Sequence, residues 1–590
     1  MPTQEQPIAQ KSNRPTISVC MIVKNEEKFL AQCLKSVKDA TDEIIIVDTG
    51  STDKTVEIAQ SFGAKVYHHP WRNSFSEARN HSLHYATCDW ILQIDADEAL
   101  EQSDIPHLHT LIQTNSHNVI YVAIYSDLPG GQAKHYFPRI FRRGKACFQG
   151  TVHNQLAFDG NALQSEIKFY HYGYNLSQDE MKKKYKRTGD LLREQVDREP
   201  DNIFALANLI RNYRNEYNFD KVIELGEKGL SMSVSQMDVV YKGQRQKISI
   251  DLAHAFLNKN MMDRAEEVCR RSLDENPQHF DMLLVLGETL FKKGEIHNAL
   301  NYFKKYLIAK EKENKTPAFS LLAADFYSYE SCAYNHVGEC YKRLGLINEA
   351  EIAYQKAVEL NNKEPLYYTN LAYLYLSQQR LDDAENTLNL AIERDVVSYQ
   401  IYLLLGKIYA TQKRNEDAVG ALRRSIQVNT GKDAVTYAYF ISLLIQTNQL
   451  KEAEDTLGIV VRSYPDHLGF QCLREKIKCK NGDRESALKF IVNTLRSNTL
   501  GGEDCLDVGD LCMETEEYTL AIEALERYLK TTSTPNAMAI ANIAACYANL
   551  GKLEPAIYGF KAALQLDPSC NFALQNLAIL ERKRQSNEGI

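Results

Sequence analysis

Two carboxylates at i and i+2, Asp95 and Asp97, follow the apolar run Trp90-Ile91-Leu92-Gln93-Ile94. At a strand edge that spacing points both side chains the same way. The pair suits a hard divalent cation bridging a diphosphate, which neutralises a leaving group rather than making a nucleophile. The same string also reads as a solvated acidic turn. A second apolar run ends in Asp48-Thr49-Gly50-Ser51-Thr52-Asp53-Lys54-Thr55. There Asp48 can accept from a base or ribose, and the turn can leave backbone N–H groups free. Ser51 or Thr52 can cap the following helix, with Asp53 in its first turn. A capped βα turn with a structural aspartate explains that segment as well. The run Lys182-Lys183-Lys184-Tyr185-Lys186-Arg187 is basic in an otherwise acidic chain. Lys184 and Arg187 could close over a donor diphosphate, or the run could be the solvated face of a linker helix. No Gly-x-x-x-x-Gly-Lys loop and no Gly-x-Gly-x-x-Gly occurs, which removes the usual NTPase and dinucleotide readings.

The elements that must position these residues change in kind near residue 190. Before it, Ile17–Val23, Glu43–Val47, Lys65–His68 and Trp90–Ile94 read as strands. Helical stretches separate them at Glu26–Lys38, Asp53–Phe62 and Phe75–Ala86. A βαβαβ order of this kind implies an open, mainly parallel sheet that takes ligands at its strand C-terminal ends. Residues 1–14 are polar, lack an apolar signal core and read as a disordered tail. The chain has 590 residues, with 69 basic and 77 acidic side chains and a net charge of −8, so a basic footprint for nucleic acid is absent. No apolar run approaches a membrane-spanning length. The 13 cysteines are scattered without a Cys-x-x-Cys pair and read as small buried hydrophobes in a reducing, cytoplasmic setting.

After residue 190 a repeat takes over. Alanines recur at 265, 299, 350, 384, 418, 453, 487, 521 and 556, at intervals of 34, 51, 34, 34, 35, 34, 34 and 35. A larger residue follows each by four, from Cys269 and Phe303 through Leu388 to Phe560, and a small residue precedes many by twelve. A 34-residue helix–turn–helix of this pattern resembles the tetratricopeptide repeat. Asp201–Gly229 reads as a degenerate further copy, and the 51-residue step implies an irregular insert about 310–328. The expected architecture is therefore an α/β domain over 15–190 followed by an all-α solenoid over 191–590.

Over roughly residues 15–190 the motifs in order resemble the family 2 glycosyltransferases of the GT-A fold, whose sheet is Rossmann-like and mainly parallel. They are Ser18-Val19-Cys20-Met21-Ile22-Val23-Lys24-Asn25-Glu26, Val47-Asp48-Thr49-Gly50-Ser51-Thr52-Asp53 and Asp95-Ala96-Asp97. Trp71, Phe75, Ala78, Arg79 and Asn80 then match a helix of the branch holding lipopolysaccharide-core glucosyltransferases and bacteriocin peptide S-glycosyltransferases. So do Arg139-Ile140-Phe141-Arg142, Gly150-Thr151-Val152-His153 and His171-Tyr172-Gly173-Tyr174. The resemblance implies that Asp48 contacts the base, that Asp95 holds the ribose and the metal-linked phosphate, and that Asp97 ligates Mg²⁺ or Mn²⁺. It places Asn25 and Glu26 by the base pocket. Ser51, Arg79 and Arg139 are added to the expected donor site, while Trp71 and Phe75 read as core packing. The branch usually has Glu after Gly-x-Val-His, and here position 154 is Asn. His153 becomes the candidate base, with a pKa naturally near working pH, and Asp127 and Asp159 are fallback carboxylates.

The reading that results is a metal-dependent, inverting, hexosyltransferase-type enzyme using a nucleoside-diphosphate sugar, expected to be UDP-linked. Its acceptor is expected to be a protein or peptide selected by the repeats. A surface-glycan acceptor with the repeats as assembly scaffold, or an inactive transferase domain on a binding scaffold, are the rivals. The helix-A series His336, Asn370, Leu404, Tyr439, Leu473, Asp507, Asn542 is no asparagine ladder, so backbone-gripping by that device is not expected. The array could instead hold a homodimer or dock a protein partner.

Overall fold

The computed structural model describes residues 14–588 apart from 115, 129–130, 151–154, 173–177, 233–238, 316–328, 430, 432, 498–499 and 533–535. His153 and Asn154 lie outside the described residues, as do most of the expected insert and the side chains of Lys184 and Asp127. The chain divides into two compact units, 1–367 and 368–590.

The first unit opens with the expected alternation. Strands β1 (Ile17–Val23), β2 (Glu43–Asp48), β3 (Lys65–His68) and β4 (Trp90–Gln93) alternate with helices α1 (Leu30–Val37), α2 (Thr55–Ser61) and α3 (Phe75–His84). Helix α1 starts four residues later than the periodicity suggests, because Asn25 takes a left-handed φ of 57° and Glu26–Phe29 forms a turn first. Next come β5 (Glu98–Leu100), α4 (Ile105–Thr114), β6 (Val119–Leu128), β7 (Gly131–Arg142), β8 (Ala146–Gln149), β9 (Gln155–Phe158) and β10 (Ala162–His171). Eight strands form one sheet in the order β3-β2-β1-β4-β7-β6-β10-β5. Its β3-β2-β1-β4 half is parallel. β7 joins antiparallel to β4 and β6, and β6 pairs parallel with β10. Strands β8 and β9 make a separate hairpin. The apolar faces of β1, β2 and β4 close against α1, which contributes buried Leu30, Cys33, Leu34 and Val37.

Glu43, at the start of β2, knits three strands. It accepts from Ser18 Oγ (2.7 Å), Lys65 Nζ (2.7 Å) and Thr87 N (3.0 Å). Burial would raise its pKa, but these bonds outweigh burial and pull it from 4.5 to about 2. Its folded value lies below its unfolded one, so the contribution is present above pH 4.5 and lost as pH falls through about 2. Between those limits the sheet unit is expected to lose about 2–3 kcal/mol. Glu43→Gln should abolish that acid-dependent part, read from thermal melting of the two proteins at pH 3 and pH 7.

Helices α5 (Gln178–Arg198), α6 (Ile203–Asn215) and α7 (Phe219–Ser231) follow the sheet. Phe75 of α3 packs into their apolar cluster with Leu192, Val196 and Ile203, so packing is the role of Phe75, with Trp71 edge-on at 4.8 Å. The pair α6–α7 is the degenerate copy expected over Asp201–Gly229. Helix pairs then continue from Val239–Asn258 with Met262–Glu275 to Ala537–Asn549 with Leu553–Leu566, followed by Asn571–Glu588. All nine alanines of the repeat are fully buried. A Cβ added to Gly287, Gly338, Gly406 or Gly509 would come within 2.6–3.0 Å of Phe303, Tyr354, Leu422 or Leu525 respectively, in each case the large residue four after the alanine. Small on helix A against large on helix B is thus the physical content of the period. Gly287→Val should cost about 1–3 kcal/mol by overpacking against the rigid Phe303 ring, measurable as a lowered melting temperature. Gly420, with nothing near its Cβ position, is the control. Position 336 of the helix-A series is no backbone clamp: the His336 ring stacks on Phe303 at 4.8 Å and 5°. Among the described residues no helix is long and apolar enough to cross a membrane.

Candidate functional site

Strands β2 and β4 flank β1, and the chain leaves β1 in opposite directions to reach them. The C-terminal ends of β1 and β4 therefore bound the point where strand order reverses, the place where open α/β sheets bind ligands. Asn25, Asp48 and Asp95 all follow strand ends at this edge. Antiparallel pairing of Leu92 with Ile140 brings Arg139 of β7 beside Gln93. Pairing of Glu98 with His171 brings the end of β10 to the same place.

Strand β4 stops at Gln93, so Asp95 and Asp97 sit in a turn closed by Glu98 N donating to Asp95 O (3.0 Å). Strand alternation does not govern them, and the expectation that they share a strand edge is corrected. Their partners differ. Asp95 accepts from Arg79 (2.5 Å), Arg139 (3.0 Å) and the Gln93 carboxamide (3.0 Å). Arg139 also donates to Gln93 Oε1 and, at 2.5 Å, to Glu98 Oε1. Glu98 Oε2 in turn accepts from Asp95 N (3.0 Å). Gln93, Glu98 and Arg139 are buried and Arg79 and Asp95 partly exposed, so two carboxylates and two guanidinium groups balance one another at the base of the site. Burial alone would raise the Asp95 pKa, but Arg79 and Arg139 hold it well below the usual carboxylate range. Glu98 goes the other way, raised chiefly by burial and further by the Asp95 charge, with Arg139 opposing. Asp97 faces a different partner. Its Oδ2 lies 3.3 Å from His171 Nε2, and its backbone carbonyl accepts from Tyr172 N (2.7 Å). His171 Nδ1 is 3.4 Å from Ser126 Oγ.

Asn25 and Ser51 interlock two turns: Asn25 N donates to Ser51 Oγ (3.0 Å), and Asn25 Oδ1 accepts from Thr52 N (2.7 Å). Ser51 and Thr52 do not cap α2, whose N-cap is Lys54 without a side-chain bond. Asp53 instead accepts from Thr55 N (3.0 Å). Asp48 is buried and accepts from Gly50 N (3.2 Å) and Ser51 N (3.0 Å), so those N–H groups are not free as expected. His68 Nδ1 lies 3.2 Å from Asp48 Oδ2. Glu26 N donates to Thr55 Oγ1 (2.7 Å). Arg187 is exposed on α5. Sequence reasoning gave no role to Gln93, Glu98 or His171, although Gln93 and Glu98 flank the aspartates and His171 opens a quoted motif.

Asp97 with His171 offers one hard oxygen and one imidazole nitrogen, both partly exposed. Among the described residues no three His, Cys, Asp or Glu side chains group to hold a metal. The pair fits a cation that takes its remaining ligands from a diphosphate and water, the usual habit of Mg²⁺. Asp95, with both oxygens already accepting from guanidinium groups, is placed to fix the turn.

A family model described as glycosyl transferase family 2 matches residues 18–170. Models described as tetratricopeptide repeat match residues 250–314, 333–364 and 369–433. The SPbeta prophage-derived glycosyltransferase SunS of Bacillus subtilis (strain 168) is 36% identical over 203 residues, covering 33% of this chain and 48% of that protein. A TPR repeat-containing protein of Synechococcus elongatus is 36% identical over 171 residues, covering 27% and 42%. An uncharacterized glycosyltransferase of Rickettsia typhi is 32% identical over 167 residues, covering 26% and 55%. The chain spans about half the length of the curated relatives it matches.

Proposed function

We propose, from a chain that carries a glycosyl transferase family 2 domain ahead of tetratricopeptide repeats, that it transfers a hexose from a nucleoside-diphosphate sugar to a protein or peptide acceptor, with inversion. The observation that carries this reading is the arrangement at the switch point. Asp97 stands with His171 at the mouth, on a turn fixed from behind by the Arg79–Asp95–Arg139–Glu98 network.

In this reading Asp97 and His171 hold Mg²⁺ or Mn²⁺, which when bound offsets the charge gathering on the departing diphosphate. The chain's own residues do the rest. Arg139 and Glu98 keep the turn in one geometry, so Asp97 meets the donor without reorganising. Asp48, at the neighbouring strand end, receives the nucleoside, with His68 beside it. Uridine is the expected base. Asn25 and Ser51 brace the two turns that frame the nucleoside. The acceptor attacks the anomeric carbon from the face opposite the diphosphate and loses its proton to His153. Lys184 and Arg187 cover the diphosphate from α5. The repeats supply the surface on which a protein acceptor is chosen.

The test is hydrolysis of a panel of nucleotide sugars by the full chain with Mn²⁺, Mg²⁺ or chelator. Metal-dependent turnover of one donor is expected. Lack of turnover together with lack of metal-dependent nucleotide binding would overturn the reading.

A further inference from the structure

A cavity of about 560 Å³ opens in the first unit between the start of α3 and the β8–β9 hairpin on one side and helices α5 and α6 on the other. That size is usual for a ligand pocket. Its wall includes Ser76, Phe148, Gln149, Gln155, Gln195 and Phe204. It is joined rigidly to the strand-end site. The Asn80 side chain bonds the Phe148 backbone in both directions, at 2.8 and 2.7 Å. The Arg79 guanidinium that grips Asp95 lies over the Phe148 ring, 5.3 Å from its centroid. Phe148 thus carries the cavity on one side and the clamp of the acidic turn beside it. Gln149 and Gln155 pair across the hairpin.

The lining chemistry is neutral. Arg198 is spent on Glu194, and Glu199 accepts from Asn202 (2.7 Å), so no excess cation faces the space. An acceptor carried on a lipid diphosphate would need one. The carboxamides of Gln149, Gln155 and Gln195 take no partner among the described residues. Each offers a donor and an acceptor together, the combination that an extended peptide backbone presents. Phe148 and Phe204 add apolar contact for a side chain.

We infer that this cavity is the acceptor subsite and that it takes a short uncharged peptide segment, held through its backbone by Gln149, Gln155 and Gln195. The inference rests on the transferase reading above. The test uses the full chain and the nucleotide sugar it hydrolyses best. A random peptide pool and a lipid-diphosphate-linked sugar serve as alternative acceptors, and donor hydrolysis is followed in the same tubes. Mass gain on peptides is expected. In Gln149→Leu/Gln195→Leu, and separately in Gln195→Trp, which fills the space, the ratio of peptide transfer to hydrolysis should fall about tenfold or more. An unchanged ratio in both variants overturns the inference, as does wild-type transfer to the lipid-linked acceptor alone. Absence of both hydrolysis and metal-dependent nucleotide binding in wild type overturns the transferase reading itself, and this inference with it.

Discussion

Arg139→Met is expected to disable the first unit more than any other single exchange at the site. The guanidinium serves Gln93, Asp95 and Glu98 at once, and it is buried. Its removal leaves Glu98 buried without its cation, and Asp95 with Arg79 as its remaining guanidinium beside the Gln93 carboxamide. Breaking a buried pair from one side costs about 3–5 kcal/mol, because the remaining charge has no partner. The turn that carries Asp97 should lose its fixed geometry, and donor turnover should vanish with it. Arg139→Lys keeps the charge but not the planar fork of donors; it should recover only part of the stability. Arg139→Met/Glu98→Gln should recover more, since it removes the orphaned charge as well. Thermal melting of the four proteins, with hydrolysis in parallel, checks the order. Equal melting temperatures for wild type and Arg139→Met would refute the role assigned to the network.

Asp97→Ala is expected to do the opposite: little change in melting, and loss of metal-dependent donor turnover by about a thousandfold, the scale of a lost charge-stabilising contact. Asp97 is partly exposed and faces His171, whereas Arg139 and Glu98 are buried. His171→Ala should cost about ten- to a hundredfold in metal affinity, as loss of an orienting or weak ligand does. Mn²⁺ titration calorimetry with nucleoside diphosphate separates the two variants. Turnover within about twofold of wild type in Asp97→Ala would refute the metal assignment.

The sequence made the parallel half of the sheet legible because each strand is a short apolar run punctuated by a helix. Trp90–Gln93 and Lys65–His68 lie where expected. The second half was less visible. Strand β6 meets β10 across Val119 and Ala162, a pairing that only the assembled sheet specifies, and β7 mixes apolar with charged residues. At the site, Asp48, Asp95 and Asp97 stood out because acids at strand ends are conspicuous. The links that give them distinct environments did not. Arg79, Asp95 and Arg139 come from a helix, a turn and a strand far apart in the chain, and no local spacing announces that they meet. Ser51 looked like a cap and proved to be a brace, because Asn25 competes for its hydroxyl. The repeats were legible in the sequence, since each copy carries the same small and large residues.

The glycine–large-residue interlock of those copies bears on how such a protein can change over generations. In the pairs Gly287–Phe303, Gly338–Tyr354, Gly406–Leu422 and Gly509–Leu525 both halves of the fit lie in one repeat, with the same separation each time. Duplicating or deleting a stretch of one period keeps every knob with its socket. An exchange out of phase by a single residue sets bulk against bulk. Recombination between copies is therefore filtered for whole units, and the array can lengthen or shorten in steps. The acidic turn and its two arginines lie ahead of the first copy, so whole units can be gained or lost without interrupting that stretch of sequence.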